Sequence, residues 1–425
     1  MKVNFHTLGC RLNQSESAIL AQSFIDSGYD LTDDKSPSDV CVINTCTVTS
    51  VSDSKCRNSI RKLIRKNPQA RIAVIGCYAE AGFEEISSIE GVDLVIGNEE
   101  KLNLLKYLPE EKLEKPRLVK DKISKDSFSI DTIGQATGRT RASLKIQDGC
   151  DFICSFCIIP RVRGRARGRD FDNLLVEAKE LVERGYKELV LTGVNIGTYE
   201  VGGKNIEHVL DALSELYIPR IRISSIEPTT ITEGVLDRMA DPNHNCVPYL
   251  HLPMQSGSDR VLKAMRRHYS KAEYISFLYH AYDKVPGLSV GTDVILGTPD
   301  ETEEDFQETL NFIKEHPIDY AHAFTYSERE GTTDYPKKHI PMGERKQRTD
   351  LIRNMSYQKQ MEFGARHLGQ TVSVLVEEKS NGYWQGHTEN FMLVKFKSRS
   401  KLENQIVEVA LEEPCGEWVL GKYQP

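Results

Sequence analysis

"GCDFICSFC", residues 149–157, sets three cysteines apart by three residues and then by two. So tight a cluster in a long chain is a metal-ligand pattern rather than a disulfide pattern. Three thiolates leave a tetrahedral site one ligand short, and no histidine or fourth cysteine stands in the neighbouring stretch. Structural zinc takes four ligands in a closed site. The other candidate is an iron–sulfur cube, commonly held by four thiolates. Held by three, a cube keeps one iron open to a substrate or cofactor. The cluster follows "SLKIQ", an apolar run with strand character, so it sits on a loop at a strand's end.

Downstream, strand patterns continue as "ELVLTGVN", "RIRISSIE", "YLHLPMQ", "LSVGTDVILG" and "YAHAFTYS", with helical patterns such as "NLLVEAKELVERG" between them. Six strand–helix units are fewer than the eight of a closed (β/α) barrel, so a partial, curved (β/α)6 barrel is expected, with the cysteine loop at its C-terminal mouth. A long charged helix over 343–368 closes it. After residue 369 the pattern changes to short strands, "TVSVLVEE", "GYWQGHT", "FMLVKF", "NQIVEVAL" and "WVLGKY". That is a β-barrel of about 60 residues, an architecture that often binds RNA. Its Tyr383, Trp384 and Lys395 are either RNA contacts or, for the two aromatics, core.

Upstream, one plan recurs in "KVNFHTLGC", "DVCVINTC" and "ARIAVIGC", each a short apolar run, the first two followed by a helical pattern. Alternation of this kind gives a parallel sheet with helices on its faces. Cys10, Cys46 and Cys77 each stand just past a strand's C-terminal end, the edge where open α/β sheets bind ligands. A buried cysteine at a strand end is common, but the repetition over three strands favours a second ligand set. Cys41, Cys56, Cys246 and Cys415 lack this context and read as structural. "LVIGNEEKLNLLKYL" looks like a last strand and helix. The expected division is an N-terminal α/β domain over 1–112, a linker over 113–140, the partial barrel with its closing helix over 141–365 and the small β-barrel over 366–425.

The 425 residues are 39% hydrophobic and 28% charged. No apolar run approaches the ~20 residues of a membrane span, and "MKVNFHTLGC" lacks the apolar core of a signal peptide. A cytoplasmic protein with reduced thiols and no membrane partner is expected. The net charge of −7 argues against general nucleic-acid affinity but leaves room for a local basic face. One candidate is "RVRGRARGR", five arginines directly after the cysteine loop.

The Cys150-x3-Cys154-x2-Cys157 loop, with aromatic Phe156 before the last cysteine, resembles that of radical S-adenosylmethionine (SAM) enzymes. The likeness runs along the chain: "TLGCRLNQSES", "VINTCTVT", "IGCYAE", "LHLPMQSGSDRVLKAMRR", "GTDVILGTPDETEEDF" and "TYSEREGT" are similar to blocks of the radical SAM methylthiotransferases. "NTCTVT…RNSIRKLIRKNP" resembles the branch acting on N6-threonylcarbamoyladenosine beside the tRNA anticodon. Related branches act on isopentenyladenosine or on a ribosomal-protein aspartate.

The resemblance implies two 4Fe-4S clusters, on Cys10, Cys46 and Cys77 and on Cys150, Cys154 and Cys157, with SAM on the open iron of the second. The small β-barrel would be a TRAM domain. SAM contacts would come from Phe156, from Thr192, Gly193 and Asn195 in "LTGVN", and from Ser225, Glu227, Gln255, Ser256 and Asp293 on later strands, all facing the mouth. No side chain beyond the cluster ligands is assigned to catalysis. Arg163, Arg165 and Arg167 would contact RNA, and Arg163 or Arg165 would meet the substrate carboxylate. "Arg260, Lys263, Arg266 and Arg267" form a second basic patch. Partners would be tRNA, SAM and a reductant such as a flavodoxin or ferredoxin. The reading from another class is an RNA-binding iron–sulfur sensor without turnover.

Overall fold

The computed structural model describes residues 1–33, 36–134 and 140–425. Of the linker expected over 113–140, residues 135–139 lie outside the described residues.

Strands Lys2–Thr7, Val40–Thr45 and Arg71–Gly76 lie side by side in parallel. The latter two are buried along their whole length, as strands covered on both faces are. Alternate side chains serve opposite faces. Val40, Val42, Ala73 and Ile75 pack with Leu20 and Phe24 of helix Arg11–Asp26. Cys41, Ile43, Ile72 and Val74 pack with Cys56, Ile60 and Leu63 of helix Ser50–Lys66. The full sheet has six strands, ordered Asp30–Thr32, Lys2–Thr7, Val40–Thr45, Arg71–Gly76, Leu94–Ile96 and Arg117–Val119. The last strand corrects the linker reading, for it pairs with Leu94–Ile96 inside the stretch taken as irregular. It is three residues long and mostly exposed, so it carries no hydrophobic alternation for a sequence pattern to register.

The six expected barrel strands are all present. Arg141–Lys145, Glu188–Thr192 and Arg220–Ile223 form one parallel sheet, and Tyr249–His251, Ser289–Leu296 and Tyr320–Thr325 form another. Single bridges from Ile221 to Cys246 and from Ser225 to His251 join them into one arc. Even-numbered residues of Ser289–Leu296, such as Val290 and Val294, face the helices. Helix Met342–Arg366 closes the arc along Tyr320–Thr325, where the Ala321 amide donates to Ser356 Oγ at 2.9 Å.

The chain ends in a closed barrel ordered Thr371–Ser380, Tyr383–Thr388, Leu393–Lys397, Val419–Gln424, Ile406–Pro414. Trp384 belongs to its core, with Nε1 donating to Ser400 O at 3.1 Å; Tyr383 is half-buried. This barrel seals the floor of the larger one through inward arginines at the strands' N-terminal ends. Arg220 donates to the carbonyl oxygens of His387 and Ser373, at 3.0 and 2.9 Å. Arg222 donates to those of Glu389 and Thr388, at 2.8 and 3.2 Å. Arg141 pairs with Glu377 at 3.2 Å. Glu188, fully buried, takes both arms of Arg222, at 2.7 and 2.9 Å.

Burial pushes the Glu188 carboxyl up, but Arg222 and then Arg141 and Arg220 more than offset this and hold it at about 2. Its contribution is full above the ordinary glutamate range and fades as pH falls toward about 2. Glu188→Ala strands Arg222 without its anion and should destabilise the joint by about 3–5 kcal/mol. The check is a lowered thermal unfolding midpoint and early proteolytic release of the C-terminal barrel at neutral pH.

Candidate active site

Parallel register brings the N-terminal cysteines together. Thr7 lies opposite Asn44 and Thr45 opposite Gly76, so the three strands end level. Cys10 precedes helix Arg11–Asp26, Cys46 follows Val40–Thr45, and Cys77 opens helix Cys77–Ala81. Glycines make the approach possible. Gly9 has φ +105°, and a Cβ there would fall 2.6 Å from Cys46 Cβ. Gly76, at φ +96°, would drive a Cβ into Asn44 and Thr45.

The second triad lies on the loop after Gln147–Asp148, stapled at several points. The Cys150 amide donates to Gly164 O at 3.1 Å, and the Ser155 amide to Met265 O at 3.1 Å. Ser155 Oγ donates to Asp334 Oδ2 at 2.7 Å. Gly149, at φ +70°, leaves no room for a Cβ against Arg165 O.

One buried side chain ties the triads together. Arg163, 2% exposed, donates from Nε to Cys77 Sγ at 3.2 Å and from Nη2 to Asn13 Oδ1 at 2.7 Å. Its Nη1 reaches Glu16 Oε1 at 3.0 Å and Asp148 Oδ1 at 2.9 Å. Lys145 joins the same carboxylates at 2.8 and 2.6 Å, and Lys101 pairs with Glu16 at 2.6 Å. Burial works against Glu16 and Asp148, yet Arg163, Lys145 and Lys101 hold both well below the usual carboxylate range. Three cations against two carboxylates leave one buried positive charge beside Cys77. The Arg163 expected at an RNA-facing position is therefore corrected: no phosphate or substrate carboxylate can reach it. Arg167 is largely spent too, paired with Glu99 at 3.0 Å and lying over the Phe128 ring. Arg165 remains half-exposed at the rim.

Arg267 plays the matching part at the other triad. It donates to Cys154 Sγ at 3.3 Å and is ion-paired with Glu227. The sequence places it in a basic patch, yet its side chain is 4% exposed. Arg260, from the same patch, is paired with Asp305. Gln147, also unflagged by sequence, binds the backbone of the "LTGVN" turn: its Oε1 accepts from Val194 and Asn195 amides at 2.8 and 3.1 Å. Its Nε2 donates to Gly149 O at 2.8 Å.

Around the mouth, Thr192 Oγ1, Asn195 Nδ2 and Gln255 Oε1 are buried without a hydrogen-bond partner among the described residues. So is Thr298 Oγ1, which the sequence reading missed. Polar atoms left like this in a native fold mark a place for a polar ligand. Gln255 is also a non-glycine residue at φ +71°. Phe156 and Ser225 are half-buried nearby in the chain. Ser256 is corrected: its Oγ is engaged with Thr309 Oγ1 at 3.2 Å and the Ser258 amide at 3.2 Å, behind the mouth against helix Glu303–Glu315. Asp293 lies deeper, between His251 at 3.0 Å and His322 at 3.3 Å. Burial pushes its carboxyl up, and the two imidazoles bring it below the usual range.

Burial pushes the thiols of Cys46 and Cys157 up to about 12 and that of Cys150 to about 11. Such sites hold thiolates only against a metal group of high positive charge. Ligand atoms of His251, Asp293 and His322 gather within 4.8 Å of one another. The two cysteine triads, each with three thiols and a buried arginine donating to one sulfur, have the donor set of iron–sulfur cubes.

Residues 2–97 match the model of "Uncharacterized protein family UPF0004", and residues 144–313 match that of the radical SAM superfamily. The threonylcarbamoyladenosine tRNA methylthiotransferase MtaB of Bacillus subtilis (strain 168) is 39% identical, over 96% of this chain and 93% of its own. That of Aquifex aeolicus (strain VF5) is 37% identical over 96% of this chain and 100% of its own. A tRNA-2-methylthio-N(6)-dimethylallyladenosine synthase of Staphylococcus aureus (strain JH9) is 32% identical over 96% and 82%. Among solved structures, the radical SAM methyltransferase TsrM of Kitasatospora setae shares the fold at TM-score 0.55 and 13% identity, over 79% of this chain and 77% of that one. SAM and 4Fe-4S clusters are thus the cofactors, and the likeness to enzymes along nearly the whole chain sets aside the sensor reading. The chain belongs to the radical SAM methylthiotransferases, in the branch of the threonylcarbamoyladenosine tRNA methylthiotransferases.

Proposed function

We propose that this chain methylthiolates N6-threonylcarbamoyladenosine beside the anticodon of tRNA, exchanging the adenine C2–H bond for C2–S–CH3. One observation carries the reading: two three-cysteine sites stand at one mouth, and buried Arg163 runs from the loop of one to a thiol of the other. When bound, the clusters and SAM would supply one-electron reductive cleavage of SAM that carries the C2 hydrogen off as 5′-deoxyadenosine, a sulfur atom whose bond to C2 returns an electron to the clusters, and a methyl group from a second SAM. The C2–H bond has no useful acidity, so no general base is needed among the side chains.

The chain's own residues hold and orient. Cys150, Cys154 and Cys157 ligate the SAM-cleaving cluster, and Cys10, Cys46 and Cys77 the other. Thr192, Gly193, Asn195, Glu227 and Gln255 receive SAM, which satisfies the unpartnered polar atoms of Thr192, Asn195 and Gln255, with Phe156 and Ser225 as flanking surface. Arg267 positions Cys154 and Glu227 together, as Arg163 positions Cys77. Asp293, held between His251 and His322, completes the SAM-facing set. Arg165 and the exposed Arg61, Lys62, Arg65 and Lys66 of helix Ser50–Lys66 meet RNA phosphates, with the C-terminal barrel extending that surface. No helix among the described residues is long and apolar enough to cross a membrane. A flavodoxin- or ferredoxin-type donor in the cytoplasm provides the electron.

Replacing Cys150, Cys154 and Cys157 together with Ala should remove about half the iron and all 5′-deoxyadenosine formation. Continued formation under reducing conditions would reassign that cluster.

Arg163→Ala leaves Glu16, Asp148 and Asn13 without their shared donor. The expected cost is about 3–5 kcal/mol, with iron lost first from the N-terminal site while SAM cleavage persists. Anaerobic iron content and thermal unfolding read both, and a stable, fully loaded variant would contradict the assignment.

Transfer RNA carrying threonylcarbamoyladenosine should be turned over about a hundredfold or more better, in kcat/KM, than the isopentenyl form, because a polar site rejects an apolar substituent. Nucleoside mass spectrometry after reaction decides this; equal turnover would overturn the substrate.

A further inference from the structure

We propose that Arg11 is a specificity-determining residue whose guanidinium receives the carboxylate of the threonylcarbamoyl group. The inference rests on the substrate reading above and deepens it.

Arg11 directly follows Cys10 and opens helix Arg11–Asp26. Its neighbours on the helix, Leu12, Asn13, Ser15 and Glu16, are buried, whereas Arg11 is exposed. Its Cζ lies 5.4 Å from the centre of the Phe391 ring. With Gln14, Arg141, Ser143 and Val190 it lines a cavity of about 290 Å³ beside the first strands of the barrel.

Three guanidiniums gather on Phe391, those of Arg11, Arg141 and Arg222. Arg141 is paired with Glu377 and Arg222 with Glu188. Glu377 and Glu378 also line the cavity; Arg141 and His387 hold the first, and Gln385 Nε2 donates to the second at 2.6 Å. Among the described residues Arg11 alone of the three has no carboxylate partner. The fold sustains this arrangement at a cost, since Phe391 is a non-glycine residue at φ +68°. Its ring is clamped between His387, stacked at 4.6 Å, and Tyr249 at 4.8 Å. Tyr249 and Tyr320 are hydrogen-bonded to each other, and the Arg11 charge bears on both phenols.

The chemistry of the base fits this layout. Adenine C2 and the exocyclic N6 flank N1 on one edge of the ring. With C2 held at the cysteine sites, the N6 substituent is carried away from them and ends in a carboxylate. A guanidinium one residue from Cys10, backed by an aromatic plate and lacking its own anion, can take that carboxylate through two parallel N–H donors. An isopentenyl group would leave it desolvated and unpaired.

The test uses the reconstituted holoenzyme and three anticodon stem-loop RNAs, alike except that the adenosine carries threonylcarbamoyl, its methyl ester, or isopentenyl. Native protein should bind the free acid about tenfold or more tighter than the ester, the scale of a charged hydrogen bond. In Arg11→Gln that ratio should fall to near one, in Arg11→Lys it should be intermediate, and in Phe391→Leu it should also fall. The ratio is taken within each variant, so a general loss of fold weakens both RNAs alike. If the native ratio is large and Arg11→Gln keeps it, another group reads the carboxylate and this proposal fails while the substrate reading stands. If native protein binds the isopentenyl RNA as well as the acid, the substrate reading fails and takes Arg11 with it.

Discussion

The buried ionic knot around Arg163 is the constraint on which the rest of the structure depends. Glu16, Asn13 and Lys101 come from the N-terminal domain, and Lys145, Asp148 and Arg163 from the barrel. Burying these charges is expensive, and an apolar joint of the same volume would be no weaker. What the knot supplies is registration. Each ion fixes its partners at hydrogen-bond distance, so the two halves cannot slide without stranding a charge. The remaining positive charge lies beside Cys77.

The opposite end of the barrel is handled in the same way. Inward arginines at the N-terminal ends of the strands meet Glu188, Glu377 and a row of carbonyl oxygens from the C-terminal barrel. The C-terminal barrel thus closes the floor of the larger barrel. Through Phe391 it contributes a ring to the floor, where Arg11 of the N-terminal domain also arrives. All three folded units contribute to one chamber.

Charge counting along a sequence misleads in such a protein. Of five arginines in "RVRGRARGR", Arg163 and Arg169 are buried and Arg167 nearly so. An arginine run is ordinarily a solvated face, but here Arg163, Arg167 and Arg169 each have a fixed carboxylate inside, Glu16, Glu99 and Glu177. The acidic net charge is compatible with RNA binding because the basic residues that stay exposed, such as those of Ser50–Lys66, are gathered on particular elements.

Local pattern was enough for the six barrel strands, the order of the folds and the placing of Cys10, Cys46 and Cys77 at strand ends. Those features are written in short-range terms: hydrophobic period, glycine before cysteine, and three-then-two spacing. Resemblance of whole blocks then named the chemistry. The roles of Arg163, Arg267 and Arg11, the engagement of Ser256 behind the mouth, and the edge strand Arg117–Val119 were not legible. Arg163 meets Glu16 across 147 residues of chain, and Arg220 meets His387 across 167. A side chain's charge is written in the sequence, but whether it faces water, a thiol or a substrate is set by elements far away along the chain. Only the packed structure decides that, because desolvation and pairing act between neighbours in space.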